Sequence, residues 1–280
     1  MELLTILLSS LMAAISPTGL VVDRVIERNL RDRLYSVEQL VVRVDNSPSD
    51  RIIRGKVEKV RIASRGAHIT ENIRIDTLEL ETDPINLDLQ RLHQIKEIKD
   101  LQQSLRQPFQ GALHLALTEA DLNGALTSKE VREPLTKLLN RFVSRRGGSQ
   151  APRYELLNPA IEFLANDRLR FQGQLSRVGS SDREAKSLEI ILETGIKVIN
   201  GRSMELIEPA GSINGRKLAS QILYDLANGL VAGLDLRDLE KSGITARLLQ
   251  LDIDSDRINL VTFVRIEPVN SSLDRQQQCY

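Results

Sequence analysis

The sequence predicts an α+β fold: a long, curved, mainly antiparallel sheet wrapped around a few helices. Three observations predict it. Strand-like segments with period-two alternation follow one another in runs over 36–89 and 154–213, instead of alternating one for one with helices. Two of these segments slip phase: in one, Ile53 and Val57 hold odd positions but Val60 and Ile62 even ones, and in the other Ile73 and Ile75 give way to Leu78 and Leu80. One inserted residue restores the apolar face in each, and such bulges bend and twist a strand. Third, the segment from Arg216 to Val231 carries Leu218, Ala219, Ile222, Leu223, Leu226, Ala227, Leu230 and Val231, a stripe broader than one-sided packing needs. A deeply buried helix is expected there.

In chain order, the first element is a run of twenty uncharged residues, Leu3 to Val22, apolar mainly from Leu3 to Ile15. Twenty residues can span a bilayer, but Ser16, Pro17, Thr18 and Gly19 suit a helix interior poorly. Glu2 is the only charge ahead of the run, and no small-x-small cleavage site precedes Pro17. Residues 1–15 are read as an apolar segment attaching the chain to a membrane or lipid interface, with a cleaved signal and a buried helix as alternatives. Ser16 then fits an N-cap and Pro17 the first helical position of a helix with Val22, Val25, Ile26, Leu30 and Leu34 on one face. Leu40, Val42 and Val44 make a strand, and a turn follows at 46–50.

Residues 90–106 are polar with little helical signal. After Pro108, Leu113, Leu115 and Leu117 alternate with His114, Ala116 and Thr118 in a strand. Thr118 caps a short helix with Glu119 and Asp121 in its first turn. A second helix through Val131, Leu135, Leu138, Leu139 and Phe142 is kinked or restarted at Pro134, and SRRGGSQAP at 144–152 reads as a loop. Four antiparallel strands are expected from Tyr154 to Ile213, the last covering only Met204 to Ile207, with turns at Asn166-Asp167 and Asn200-Gly201. Thr245–Ile253 and Ile258–Ile266 form a closing hairpin. The expected organisation is one domain over 16–268 and a polar tail at 269–280.

Composition removes several functions. Lys and Arg number 38, as do Asp and Glu, so no overall field gathers polyanions, and nucleic acid is not an expected partner. The single cysteine, Cys279, excludes a disulfide framework and a multi-cysteine metal site. His68, His93 and His114 stand at no metal-ligand spacing. Phosphate-cradling glycine motifs and the G-x-S-x-G elbow are absent. Asp252, Asp254 and Asp256 imitate a calcium loop, but Arg257 replaces the required glycine, so a strand end and turn are expected. No catalytic residue, metal or cofactor is expected. Between Arg51 and Arg65, the basic residues Arg51, Arg54, Lys56, Lys59, Arg61 and Arg65 face only Glu58. The common meaning is a solvated strand face; the sharper one is a contact with anionic headgroups or a membrane surface.

Five stretches carry a resemblance: SPTGLVVDRVIERNLRDRL at 16–34, GKVEKVRIASRG at 55–66, LETDPINLDL at 80–89, QPFQGALHLALTEADLNGAL at 107–126 and SGITARLLQL at 242–251. They resemble the LmeA-like family of bacterial phospholipid-binding proteins, its cyanobacterial members above all. The similarity covers nearly the whole chain and is most specific where a strand runs into TEADLN; it departs at 90–106 and in the tail. The resemblance implies a tubular lipid-binding-like fold with an apolar cavity for phospholipid, no catalytic residues, and a place at a membrane, either in the cell envelope or periplasm, where members of mycobacterial type work, or at internal membranes.

Under that reading the cavity lining comes from faces expected to point inward. These are Ile73 and Ile75; Leu113, Leu115 and Leu117; Ile190 and Leu192; Leu218, Ile222, Leu226 and Leu230 of the late helix; and Leu249, Leu251 and Ile253 of the hairpin. Alternation alone does not distinguish a lining from an ordinary core. The expected function is non-enzymatic phospholipid binding or transfer at a membrane. The alternative is a membrane-associated structural or assembly protein with a solid core.

Overall fold

In the computed structural model, which describes residues 22–46, 51, 54–88, 90–91, 98–147, 152–179, 187–231 and 235–269, antiparallel strands dominate. The side chains at 22, 98, 142–147 and 226–231 are outside this description. So are the apolar segment at 1–15, the Ser16-Pro17 cap, most of the 46–50 turn, Ile53, His93 and the tail from residue 270.

Helix α1 (Val22–Arg33) leads to strands β1 (Ser36–Asp45), β2 (Lys56–Val57), β3 (Lys59–Thr70), β4 (Ile73–Thr82) and β5 (Ile85–Asn86). Then come α2 (Ile98–Ser104), β6 (Phe109–Thr118), α3 (Glu119–Thr127) and α4 (Lys129–Gly147). Strands β7 (Tyr154–Leu164), β8 (Arg168–Arg177), β9 (Leu188–Ile199), β10 (Ser203–Ile213) and β11 (Arg216–Lys217) follow. Last are α5 (Ser220–Val231), α6 (Arg237–Glu240), β12 (Ile244–Ile253) and β13 (Arg257–Ile266). The strands form a six-stranded sheet in the order β1-β3-β4-β6-β13-β12, a five-stranded sheet β11-β10-β9-β8-β7, and a β2-β5 pair.

The six-stranded sheet is amphipathic row by row. One row runs Val42, Ile62, Leu80, Leu113, Thr262, Leu248 from edge to edge. Ile26 and Leu30 of α1, Val57, Ile85, Leu87, and Leu101 and Leu105 around α2 close this face into a sealed core. Phe109, Ile62, Ile244 and Ile266 are among its fully buried side chains, each at most 1 % exposed. The other face carries charge: Arg61 pairs with Asp45 at 2.6 Å and Glu81 at 3.0 Å, Lys59 with Glu81 at 2.6 Å, and Arg65 with Glu79 at 3.2 Å. Lys59 first and Arg61 second hold the Glu81 carboxyl below its ordinary value.

Several local expectations meet the structure directly. Thr118 caps α3 with a full capping box, its hydroxyl accepting from the Asp121 amide while Asp121 accepts from the Thr118 amide. The turns at 166–167 and 200–201 carry positive φ at Asn166, Asp167, Asn200 and Gly201, as tight hairpins of this twist require. The aspartates after β12 lie at the end of that strand and in the turn to β13.

Five expectations are corrected. The slip between Val57 and Val60 is not a bulge within one strand: at Glu58 the chain leaves β2, paired with β5, and enters β3 of the large sheet. In β4 the phase changes without the expected inserted residue: the register with β3 is unbroken from Arg65–Thr77 through Ala67–Ile75, past Gly66 with its φ of +57°, and shifts only between His68 and Thr70. Helix α4 runs through Pro134 to Gly147, so residues 144–147, expected in a loop, are helical. The fourth strand continues to Ile213, and Asn214-Gly215 turns it into β11, so the segment expected to open a helix at Arg216 is a strand and α5 begins at Ser220. Nor is the described half of α5 deeply buried: Leu223 is inside, but Tyr224 is 51 % exposed.

Candidate functional site

The five-stranded sheet has the same two-faced construction with a different outcome. Its apolar face is built of cross-strand rows, among them Leu156, Leu175, Leu188; Ile161, Phe171, Leu192; and Phe163, Leu169, Thr194. Ile196 opposite Leu206 and Val198 opposite Met204 continue it. The opposite face holds Arg170, bonded to Glu162 at 2.6 Å and to Glu193 at 2.7 Å, with Glu193 the larger cause of its raised pKa. Alternation therefore sorts this sheet as cleanly as the first.

Helices α4 and α5 lie over the apolar face, Leu135 and Leu139 packing on its core cluster and Leu223 reaching β10. Gly211 permits the last contact: a Cβ there would stand 2.6 Å from Leu192 and 2.9 Å from Leu223. Yet the cover is partial. Leu156, Leu175 and Ile190 are the buried members of the cluster, while Phe171, Leu188, Leu192 and Ile213 pack against it only half-buried. Leu169, Ile196, Val198, Met204 and Leu206 are likewise half-buried.

A second half-open strip belongs to the six-stranded sheet. Leu115 opposite Leu260 and Leu117 opposite Ile258 stand at the end of the face remote from Phe109, and all four are half-buried, as is Leu251 opposite Leu260. The two strips approach each other. Glu119, just after β6, accepts from the Phe163 amide at 3.0 Å, and Asn123 of α3 both accepts from and donates to the Ile161 backbone. Asp167, in the β7–β8 turn, accepts from the Ile253 amide at 3.1 Å, and Gly201 accepts from the Leu248 amide at 2.8 Å. At the same junction Arg74 donates to the buried Asp121 at 2.8 Å, the main cause of its raised pKa.

The sequence-derived residues divide between these regions. Ile75 and Leu113 belong to the sealed core, with Leu115 and Leu117 half-buried beside it. Ile190 and Leu192 belong to the second cluster. Ile73, Leu218, Ile222 and Leu251 are half-buried and Ile253 is buried. The side chains of Leu226 and Leu230 lie outside the described residues. Leu249 is a correction: it is 63 % exposed, because the register of β12 slips between Leu248 and Gln250 and leaves it as the unpaired residue of a bulge. The inward face of β12 passes from even positions, Ile244, Ala246 and Leu248, to odd ones at Leu251 and Ile253.

Of the basic residues proposed to meet headgroups, Arg51 pairs with Glu58 at 2.8 Å, and Lys59, Arg61 and Arg65 belong to the cross-strand ion pairs of the outer face. Arg54 and Lys56 are exposed around β2. Sequence reasoning counted only neighbours along the chain; Glu79, Glu81 and Asp45 reach this cluster from adjacent strands. It also did not single out Ile161, Phe171 and Leu169, members of the half-buried apolar face whose alternation was legible.

Among the described residues no His, Cys, Asp or Glu cluster could hold a metal ion, and no helix is long and apolar enough to cross a membrane. The model of the LmeA-like phospholipid-binding family matches residues 13–263. No curated protein and no solved structure matches the chain.

Proposed function

The chain belongs to the LmeA-like phospholipid-binding family, and from that premise we propose that it binds phospholipid non-enzymatically and transfers it at a membrane. The acyl chains lie in an apolar cavity between the five-stranded sheet and helices α4 and α5, extending toward the Leu115–Leu260 strip. The observation that carries this reading is the half-buried apolar face of the five-stranded sheet, set beside a six-stranded sheet whose own core is sealed.

The physics asks for such a surface. Each buried methylene is worth about 0.8 kcal/mol, so two chains of about sixteen carbons would lose roughly 25 kcal/mol in water. A carrier must enclose them, yet hold them no more tightly than a bilayer does, which aliphatic walls without polar anchors achieve. The twelve residues of β9 span about 40 Å, against about 15 Å for the hydrocarbon of one leaflet, so a chain fits along the strand. The bonds between the sheets through Asp167, Gly201 and Asn123 support treating 16–268 as one lipid-binding unit. In this reading the apolar residues 1–15 hold the protein at its membrane, in the cell envelope or periplasm.

Organic extraction of the natively purified protein followed by mass spectrometry tests the proposal. Stoichiometric glycerophospholipid is the expected result. Absence of lipid, with folding indifferent to added lipid and a stable protein partner in pull-downs, would overturn it in favour of an assembly role.

A further inference from the structure

A cleft of about 550 Å³ opens at the end of the five-stranded sheet remote from the six-stranded one, lined by Ile213, Asn214, Arg216, Lys217 and Leu218. Its position follows from register. The turns at 166–167 and 200–201 sit against β12, so the opposite strand ends, where Ile213 pairs with Ile190, form the tip remote from β12. The tip is firmly built. Asn214 and Gly215 take φ of 48° and 72°, the Asn214 side chain accepts from the Glu189 amide at 2.8 Å, and the Leu218 amide donates to Gly211 at 2.9 Å.

The chemistry of the cleft is amphipathic. Ile213 packs against the apolar cluster of the sheet, and Leu218 is half-buried beside it. Arg216 and Lys217 are exposed, and among the described residues neither side chain meets a carboxylate. Glu189, the acidic residue alongside, contacts the turn through its backbone groups. This contrasts with Lys59, Arg61 and Arg65, whose charges are answered by Glu81, Asp45 and Glu79. Arg216, opposite Ile213, stands on the apolar face of the sheet, and Lys217, opposite Ser212, flanks it from the other face. Positive charge that no carboxylate answers among the described residues, beside an apolar floor continuous with a half-open apolar face, matches the two ends of a phospholipid: phosphate and acyl chain.

We propose that this tip is the entry port of the lipid site, where Arg216 receives the phosphate of a membrane phospholipid, Lys217 adds its charge from the flank, and Ile213 and Leu218 lead the acyl chain onto the face of the five-stranded sheet. The inference rests on the lipid-binding reading above and assigns its headgroup end. Arginine offers the phosphate a forked set of donors and lysine a point charge, so the pair tolerates different headgroups and requires only the anionic phosphate.

The test uses the full chain with Arg216→Gln and Lys217→Gln combined, and flotation with vesicles of phosphatidylcholine alone or mixed with phosphatidylglycerol. Loss of two charges near an acidic surface, each worth a factor of about five, lowers capture by the mixed vesicles on the order of thirtyfold. Arg216→Lys with Lys217→Arg restores most of it, and Arg43→Gln on the outer face, with an unaltered melting curve as the folding control, leaves it unchanged. Equal capture of wild type and double variant by the mixed vesicles overturns the port even if both proteins yield lipid on extraction. Wild type that yields no lipid refutes the binding reading instead. Inhibition of capture by glycerol phosphate as strong as that by phospholipid vesicles would assign the cleft to a soluble anion and overturn the port as well.

Discussion

The two sheets of this molecule start from the same rule and end differently. Both alternate apolar and charged residues, and both keep ion pairs on the polar face, Arg61 with Glu81 in one and Arg170 with Glu193 in the other. In the six-stranded sheet α1, the β2-β5 pair and α2 seal the apolar face except at its Leu115–Leu260 end, and Phe109, Ile26, Leu30 and Ile62 are at most 1 % exposed. In the five-stranded sheet α4 and α5 cover an equally apolar face and leave Phe171, Leu192 and Ile213 half-buried. Half-burial of a contiguous apolar face leaves hydrophobic free energy unrealised in the chain alone, which a ligand can realise. The first sheet is a structural anchor, and in the proposed function the second is the working surface.

The largest expected effect sharpens that contrast. Phe109→Ala in the sealed core removes a side chain that is 1 % exposed and should destabilise by about 3–5 kcal/mol in urea unfolding. Asp121→Ala, at the junction, removes the carboxylate half of the α3 capping box and the buried one of Arg74's three carboxylate partners, leaving Glu38 and Asp76; a loss of about 2 kcal/mol is expected in urea unfolding. Gly211→Ala sets a methyl group against Leu192, Leu223 and the Ile191 carbonyl; displacing α5 should cost about 1–2 kcal/mol and show as a lower melting temperature.

Leu192→Ala should cost less than truncation in the sealed core, about 1–2 kcal/mol, since part of its surface stays in water, while the lipid recovered per protein falls. A Leu192→Ala loss as large as that of Phe109→Ala would break the comparison, by revealing a second sealed core. The smallest effect lies on the outer face. Glu81 has a folded-state pKa below its unfolded one, so its contribution is present above the ordinary glutamate range and is lost as pH falls through the depressed value. A carboxyl NMR titration of Glu81 in the wild type and in Lys59→Gln should show the midpoint rising in the variant.

What was legible in the sequence was local. Thr118 and Asp121 stand three residues apart and satisfy each other, so the start of α3 could be read without knowing its surroundings. The turns at Asn166-Asp167 and Asn200-Gly201 were legible for the same reason: their φ values suit residues that tolerate the left-handed region. Asn214-Gly215 has the same signature but was not singled out as a turn, and the apolar stripe beyond Leu218 carried the helix reading back to Arg216, which placed the two cations of the tip on a helix. At Glu58 a phase change told that the apolar side had moved, not that the partner strand had changed. Leu249 failed as lining because a bulge is a relation between strands, and β12 alone does not display it.

By itself the sequence determined the α+β class, the sides of most strands and the likeness to a phospholipid-binding family, because alternation, caps and turns are encoded within a few residues. Only the tertiary structure decided that one sheet has a sealed core with a half-open strip at its end while the other is half-covered, and that Arg61 is neutralised while Arg216 stands without a carboxylate among the described residues. The reason is that exposure and charge compensation are properties of neighbours in space. Glu81 lies twenty positions from Arg61 along the chain and 3.0 Å from it in the fold.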